Sequence, residues 1–182
     1  MSIRHSLLAI LDQGDCYGYQ LRVEFERRTG GARQLNVGQV YATLDRLERD
    51  ECVTRLGADA TGHVYYAITR AGSAEVSAWF GTSSRDPDLD DLALKVALAQ
   101  SLPGVDALAM VVRQRASSTT ALDAMHSVVA PSGLSERLIA EARSRVAVAR
   151  LSWLDEAAAL LEDSRPFPLE AEPPRRGRPI RG

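Results

Sequence analysis

The amino-acid sequence predicts a mainly α chain with one small β-hairpin, split into an N-terminal mixed domain and a C-terminal helical domain. Three observations carry this. Apolar residues recur at helical spacing along most of the chain. The period drops to two in one place, from Val53 to Ile68. A Gly/Ser/Pro/Asp stretch, residues 81–88, separates a mixed region from an alanine-rich one.

The elements follow in order. Ile3, Leu7, Leu8 and Leu11 share a helix face, and Asp12-Gln13-Gly14-Asp15 ends that helix. Tyr17, Leu21 and Phe25 stand four apart and mark a second helix, stopped by Thr29-Gly30-Gly31. Asn36 caps a third, because its short side chain accepts from an early helical N–H. Val37, Val40, Tyr41, Leu44 and Leu47 line one face of that helix, and Asp50-Glu51 closes it. Val53 and Arg55 then alternate, Gly57 to Gly62 turns, and His63 to Ile68 returns with Val64, Tyr66 and Ile68 on one face. A fourth helix carries Val76, Trp79 and Phe80. Three short helices, a hairpin and a helix make a winged helix-turn-helix domain over residues 1–80, whose third helix leaves one face free for the major groove of double-stranded DNA.

Composition narrows the function. The chain has 182 residues, 45% hydrophobic and 5% aromatic, so aliphatic side chains and alanine must fill its core. No apolar run approaches the roughly 20 residues of a bilayer span, and Met1 to His5 opens no signal peptide. A cytoplasmic protein without a membrane partner is expected. Cys16 and Cys52 lie far apart and read as free structural thiols. No Gly-rich phosphate loop, paired-His motif or nucleophile elbow is present, so no catalytic residue, metal or cofactor is expected. Asp86, Asp88, Asp90 and Asp91 lack the glycine and downstream Glu of a calcium loop and suit a helix N-terminus instead. The formal net charge of −2 does not announce a nucleic-acid binder, but the field at a binding face is local, and salt screens the rest within about 10 Å.

With Val40, Leu44 and Leu47 inward, Gly38, Gln39, Ala42, Arg46 and Arg49 point outward, with Thr43 at the edge of that face and Tyr41 at the border of the buried one. Gln39 can pair with adenine and Arg46 with guanine or a phosphate, while Gly38 and Ala42 allow close approach. The Tyr41 hydroxyl can meet a phosphate. At the hairpin, Arg55 and His63 suit the DNA backbone or minor groove.

Leu7-Leu8-Ala9-Ile10-Leu11, Tyr17-Gly18-Tyr19-Gln20-Leu21 and Val40-Tyr41-Ala42-Thr43-Leu44-Asp45-Arg46-Leu47-Glu48 resemble the PadR family of bacterial transcriptional regulators. Tyr65 to Gly72 resembles the end of that family's wing. The resemblance covers residues 3–80 and implies a homodimeric repressor, relieved in some relatives by phenolic acids or other small hydrophobic molecules. The chain departs from the pattern twice. Glu51-Cys52 stands where the family often has Gly after the recognition helix. Asn36-Val37 stands where it often has Ser or Ser-Pro, which changes the cap and with it the bases read, so Asn36 counts among the expected DNA contacts.

Residues 81–88 form the linker, and residues 89–162 divide into three helices: Asp90 to Ser101, about Val105 to Val129, and about Leu134 to Glu162. The last is about 43 Å long. Along it Leu138, Ala142, Val146, Ala149, Trp153, Ala157 and Leu160 step by three and four, a heptad-like stripe that seeks a partner helix. This predicts a helical dimerisation domain; packing on the preceding helix is the alternative. Arg137, Arg143, Arg145 and Arg150 fall on other faces. Trp153 can stack on an aromatic effector or fill the core. Residues 163–182 are proline-rich and read as a disordered basic tail. Within it Arg176, Gly177 and Arg178 resemble an AT-hook core for the minor groove.

The sequence thus points to a DNA-binding transcriptional repressor with a small hydrophobic or aromatic effector. The alternative is a winged-helix module that binds other proteins without specific DNA recognition.

Overall fold

The computed structural model describes residues 3–127 and 133–170. The elements run α1 (Ile3–Leu11), β1 (Cys16–Tyr17), α2 (Gly18–Arg28), α3 (Val37–Arg49), β2 (Val53–Ala58), β3 (Val64–Ile68), α4 (Arg70–Gly81), α5 (Leu89–Ser101), α6 (Ala107–His126) and α7 (Leu134–Leu161). Two compact units form. One takes in Ser2–Val76 and the chain from Phe167 onward; the other spans Ser77–Pro166. The division falls inside α4. No described helix is long and apolar enough to cross a membrane.

In the first unit α1, α2, α3 and β3 enclose Leu7, Leu8, Ile10, Leu21, Phe25, Val40, Leu44, Leu47 and Tyr66, all without exposed surface. The sheet has three strands in the order β1-β3-β2, all antiparallel. The sequence predicts only a hairpin. Cys16 and Tyr17 add the third strand by pairing with Tyr66 and Tyr65, so Tyr17 precedes α2 and is not part of it. A two-residue strand is held by its partner, and no local periodicity can reveal it. β2 also outruns the expected turn. It continues through Gly57 and Ala58, with an irregularity in register between Arg55 and Ala58 that absorbs the extra residues.

Two backbone positions fix the junctions around α3. Its C-terminus is a Schellman motif: the Cys52 N–H donates to Leu47 O and the Glu51 N–H to Glu48 O. This puts Glu51 at φ 57, the left-handed region. Glycine adopts that conformation without strain, and glycine is what the family resemblance leads one to expect where this chain has Glu51. At the start of α4, Gly72 lies against β2. A Cβ there would sit 2.2 Å from the Cys52 carbonyl oxygen and 2.7 Å from Ile68. The Thr69 hydroxyl caps this helix by accepting from the Gly72 N–H and donates to the Glu51 carbonyl. Arg4 on α1 completes the corner, donating to Glu75 at 2.7 and 3.0 Å and to Asp50 at 2.5 Å. Cys16 and Cys52 are free and buried; burial pushes the Cys16 thiol up to about 12.

In the second unit α5, α6 and α7 pack around Leu92, Val96, Leu98, Met110, Val111, Ala147, Leu154 and Ala157. Asp88 caps α5 by accepting from the Asp91 N–H, and Asp90 and Asp91 occupy its first turn. The acidic run therefore serves a helix N-terminus. α6 is capped by Asp106; its expected end at Val129 lies outside the described residues. Arg150 lies off the apolar stripe, as expected, on the face turned to the core. It is buried and donates to Asp86 at 2.7 Å.

Of the tail expected over residues 163–182, residues 163–170 are described. Phe167 to Glu170 lies as a strap along a polar stripe of α2, held by main-chain hydrogen bonds to Gln20, Glu24, Arg27 and Arg28.

The junction geometry separates two substitutions by sign. Gly72→Ala should lower stability by about 2 kcal/mol or more, because backbone must move to admit the methyl group. Glu51→Gly should raise it by up to about 1 kcal/mol, since relief of the left-handed strain exceeds the added chain entropy. Urea unfolding at one fixed protein concentration reads both; a destabilised Glu51→Gly would refute the strain at that junction.

Candidate nucleic-acid interface

The exposed face of α3 is set by what the helix buries. Val40, Leu44 and Leu47 have no exposed surface, and Gly38, Gln39, Tyr41, Ala42, Arg46 and Arg49 are exposed. Thr43 is half-buried, and its hydroxyl donates to the Gln39 carbonyl at 2.7 Å. Among the described residues the Arg46 side chain makes no hydrogen bond or ion pair, so its guanidinium is available to a partner, while its carbonyl accepts from the Asp50 N–H. Arg49 donates to its own helix at Asp45 O.

The N-terminus of α3 is a full capping box. Asn36 Oδ1 accepts from the Gln39 N–H at 2.7 Å, and Gln39 Oε1 accepts from the Asn36 N–H at 3.2 Å. Both side chains expected at the DNA are thus also committed to the helix end. The Gln39 amide retains its N–H donors for a base acceptor. The Tyr41 ring rests on the first turn of α2, where a Cβ on Gly18 would fall 2.7 Å from its Cζ. Gly18 is therefore a spacing residue, and Tyr41 remains 41% exposed.

The wing tip is organised by Asp59. Its Oδ1 accepts from the Thr61 N–H, the Thr61 hydroxyl and the His63 N–H at 2.7–2.9 Å. The Thr61 hydroxyl first, then the backbone donors, hold this carboxyl down at about 2. His63 stacks on Tyr17 at 4.2 Å between centroids, 12° from parallel, and Tyr17 meets Tyr65 edge-on at 5.4 Å. Tyr17 is a support that the sequence does not reveal, because its role depends on β1. Arg55 donates to the Tyr66 hydroxyl at 3.3 Å. Both expected wing residues are exposed and pre-positioned by aromatic partners. Arg176, Gly177 and Arg178 lie outside the described residues.

On α7 the expected stripe is largely uncovered within one chain. Leu138, Val146 and Leu160 are 63%, 52% and 78% exposed. Ala142 and Ala149 are exposed, Trp153 is half-buried, and Ala157 is buried. The face turned to the core carries Ala147, Arg150, Leu154 and Ala157.

The helical unit also holds a cavity of about 480 Å³ lined by Trp79, Thr82, Ser84, Pro87, Leu92 and Lys95 among others. Lys95, the single lysine of the chain, donates to the Trp79 and Thr82 carbonyls at 2.7 and 3.1 Å and lies 5.2 Å from the Trp79 ring centroid. Burial, and then Arg113, lower its pKa. Trp153 is not among the lining residues; the indole of this cavity is Trp79.

Residues 7–78 match the family described as Transcriptional regulator PadR-like family. The chain is 25% identical to the probable transcriptional regulator Rv1176c of Mycobacterium tuberculosis, over 91% of its own length and 100% of the relative's. It is 31% identical to the uncharacterized protein X of Lysinibacillus sphaericus, over 39% of its length and 68% of the relative's. Bacillus subtilis PadR in complex with operator DNA is a looser likeness, at 19% identity and a TM-score of 0.42, with 87% of this chain and 97% of that one covered. The family and the mycobacterial relative are described as transcriptional regulators and not as enzymes. The winged helix-turn-helix is thus built on the residues that match, and this part of the chain is a PadR-like transcriptional-regulator domain.

Proposed function

We propose that this chain is a homodimeric DNA-binding repressor that reads an operator with α3 and releases it on binding a small aromatic effector. One observation carries the DNA reading. α3 buries three apolar residues completely and turns outward two small residues, Gly38 and Ala42, beside Arg46 and Arg49. Small residues let a helix approach base edges, and an unpartnered arginine suits guanine or a phosphate.

Dimerisation is supported by the apolar stripe left uncovered on α7. A row of exposed leucine and valine on a 28-residue helix is a surface that water disfavours and a second copy covers. Two protomers related by a two-fold axis would present two α3 helices to half-sites on one DNA face. The effector reading rests on the Trp79–Lys95 cavity. Its size suits a small molecule, Trp79, Pro87 and Leu92 offer apolar walls, and Lys95, Asp88 and Asp91 add charged groups to the lining.

Mobility shifts on DNA from upstream of the protein's own gene test the first part. Binding should weaken with salt, and Arg46→Ala should cost about 1–3 kcal/mol of specific affinity with the fold intact. Unchanged affinity, or no shift at all, would favour a module that binds protein instead. A reporter driven by the same DNA should rise when the protein is absent.

Leu138→Glu combined with Leu160→Glu should leave a monomer by light scattering and abolish tight operator binding. A persistent dimer would place the interface elsewhere.

For the effector, a small phenolic acid titrated against tryptophan emission should quench the Trp153→Phe variant and leave the Trp79→Phe variant unmoved. The reverse pattern would move the site to Trp153.

A further inference from the structure

The tip of the wing is closed by one carboxylate and one imidazole. Residues 56–64 carry Asp59 and His63 as their only ionisable side chains. The turn is fixed around them. The Asp59 N–H donates to the His63 carbonyl and the Gly62 N–H to the Asp59 carbonyl, while Gly62 takes φ 84, in the left-handed region that suits glycine. Tyr17 of β1 lies flat against the imidazole at 4.2 Å and is itself braced edge-on by Tyr65 of β3. The plane of the imidazole is therefore set, and His63 remains exposed.

The hydrogen-bond network also assigns the ring proton. The Asp59 carboxyl, held down at about 2, is ionised and can only accept. The Thr61 hydroxyl lies 2.7 Å from Asp59 Oδ1 and 2.8 Å from His63 Nδ1. Its single proton goes to the carboxylate, because two oxygen lone pairs would otherwise face each other at that distance. The hydroxyl oxygen is then an acceptor for His63, so Nδ1 carries a hydrogen and donates. Asp59 Oδ2, 3.5 Å from Nδ1, favours the same arrangement. Nε2 lies on the other edge of the ring and makes no hydrogen bond among the described residues. In a neutral imidazole protonated at Nδ1 it is a bare acceptor, and only in the imidazolium does it donate.

We propose that His63 holds a DNA phosphate through Nε2 and does so only as the imidazolium, so that the wing grips DNA more tightly as pH falls. A phosphate oxygen needs a donor, which neutral Nε2 lacks. Charge points the same way. With His63 neutral, Asp59 leaves the tip negative, and the tip repels the DNA backbone. With His63 protonated, the two charges cancel and a charged donor faces outward on the free edge of the ring. The groups facing that ring are Asp59 on the turn and Tyr17 on β1, with Tyr65 of β3 and Tyr19 of α2 close to Tyr17. Burial first, then Tyr65 and Tyr19, raise the Tyr17 phenol, so it stays neutral where histidines titrate. The carboxylate and the tyrosine π face both favour the imidazolium. The inference rests on the DNA-binding reading and deepens it, by assigning the contact that the wing makes.

The test uses the full chain and labelled DNA from upstream of its own gene, followed by fluorescence anisotropy at fixed ionic strength at about pH 6 and about pH 8, between which histidine changes charge. The intact protein should bind about tenfold more tightly at the lower pH, the worth of one charged hydrogen bond. His63→Gln should bind equally at both, at the weak level of the intact protein at the higher pH. His63→Arg should also bind equally at both but near the tight level, because its charge is permanent. Lowering the pH should steepen the logarithmic salt slope of the intact protein by about one for each engaged wing and leave that of His63→Gln unmoved. Circular dichroism at both pH values establishes that the variants are folded. An intact protein of equal affinity at both pH values overturns the proposal. So does a His63→Gln protein that keeps the pH dependence, which would trace it to His5 or His126, the other two histidines. An intact protein that binds at neither pH overturns the DNA-binding reading as well.

Discussion

The complete burial of Val40, Leu44 and Leu47 is the constraint on which the rest of the first unit depends. Three residues at spacings of four and three fix the rotation of α3 about its axis, because turning the helix by one position would expose a leucine and bury a charge. Each end is fixed independently. The Asn36–Gln39 capping box sets the start, and the Schellman turn at Glu51 sets the stop. With rotation and length fixed, the outward set from Gly38 to Arg49 has no freedom left. The same turn feeds Val53 directly into the wing, and Arg4 pins the corner through Glu75 and Asp50. The wing and the outward face of α3 are thus held by one continuous piece of core, the preorganisation that a recognition surface needs.

Most of this was legible from residue order. The helices follow from the apolar period, and the Asn36 cap and the α3 face follow from side-chain chemistry and rotation. What stayed hidden depends on partners distant in sequence. β1 is two residues long and exists only through Tyr65 and Tyr66. Tyr17 therefore looked helical, and its stacking on His63 could not be anticipated. The commitment of Gln39 to its own cap was within reach, since Asn-x-x-Gln is a capping-box spacing; the adenine reading took precedence. On α7, heptad spacing identified the exposed stripe, but Arg150 is buried because Asp86 of the linker answers its charge. Sequence spacing alone does not show such a partner.

The charge pattern explains how a chain of net charge −2 can present a surface suited to phosphate. Several of its 24 acids are engaged internally. Asp88 and Asp106 cap helices, Asp59 ties the wing tip, and Glu24, Asp50 and Glu75 are paired with arginines. A carboxylate with donors already arranged around it projects less field than a free one, whereas Arg46 is left unanswered. On α3 itself Asp45 and Glu48 offset Arg46 and Arg49, so any attraction for phosphate there is local to the Arg46 side chain.

The α2 stripe follows the same logic in the opposite direction. A buried Glu–Arg pair recovers its desolvation cost only when every remaining lone pair and proton finds a partner. Burial, and then the neighbouring Arg27, lower the pKa of Arg28 despite its contact with Glu24. If the strap left, water would reach Gln20, Glu24 and Arg28 and solvate them, so undocking would relieve the cost that docking imposes. The strap is accordingly held with modest net energy but in one register, because only that register satisfies all four main-chain hydrogen bonds at once. An apolar groove would bind a phenylalanine-bearing segment at several offsets. A polar stripe with donors and acceptors at fixed intervals accepts one.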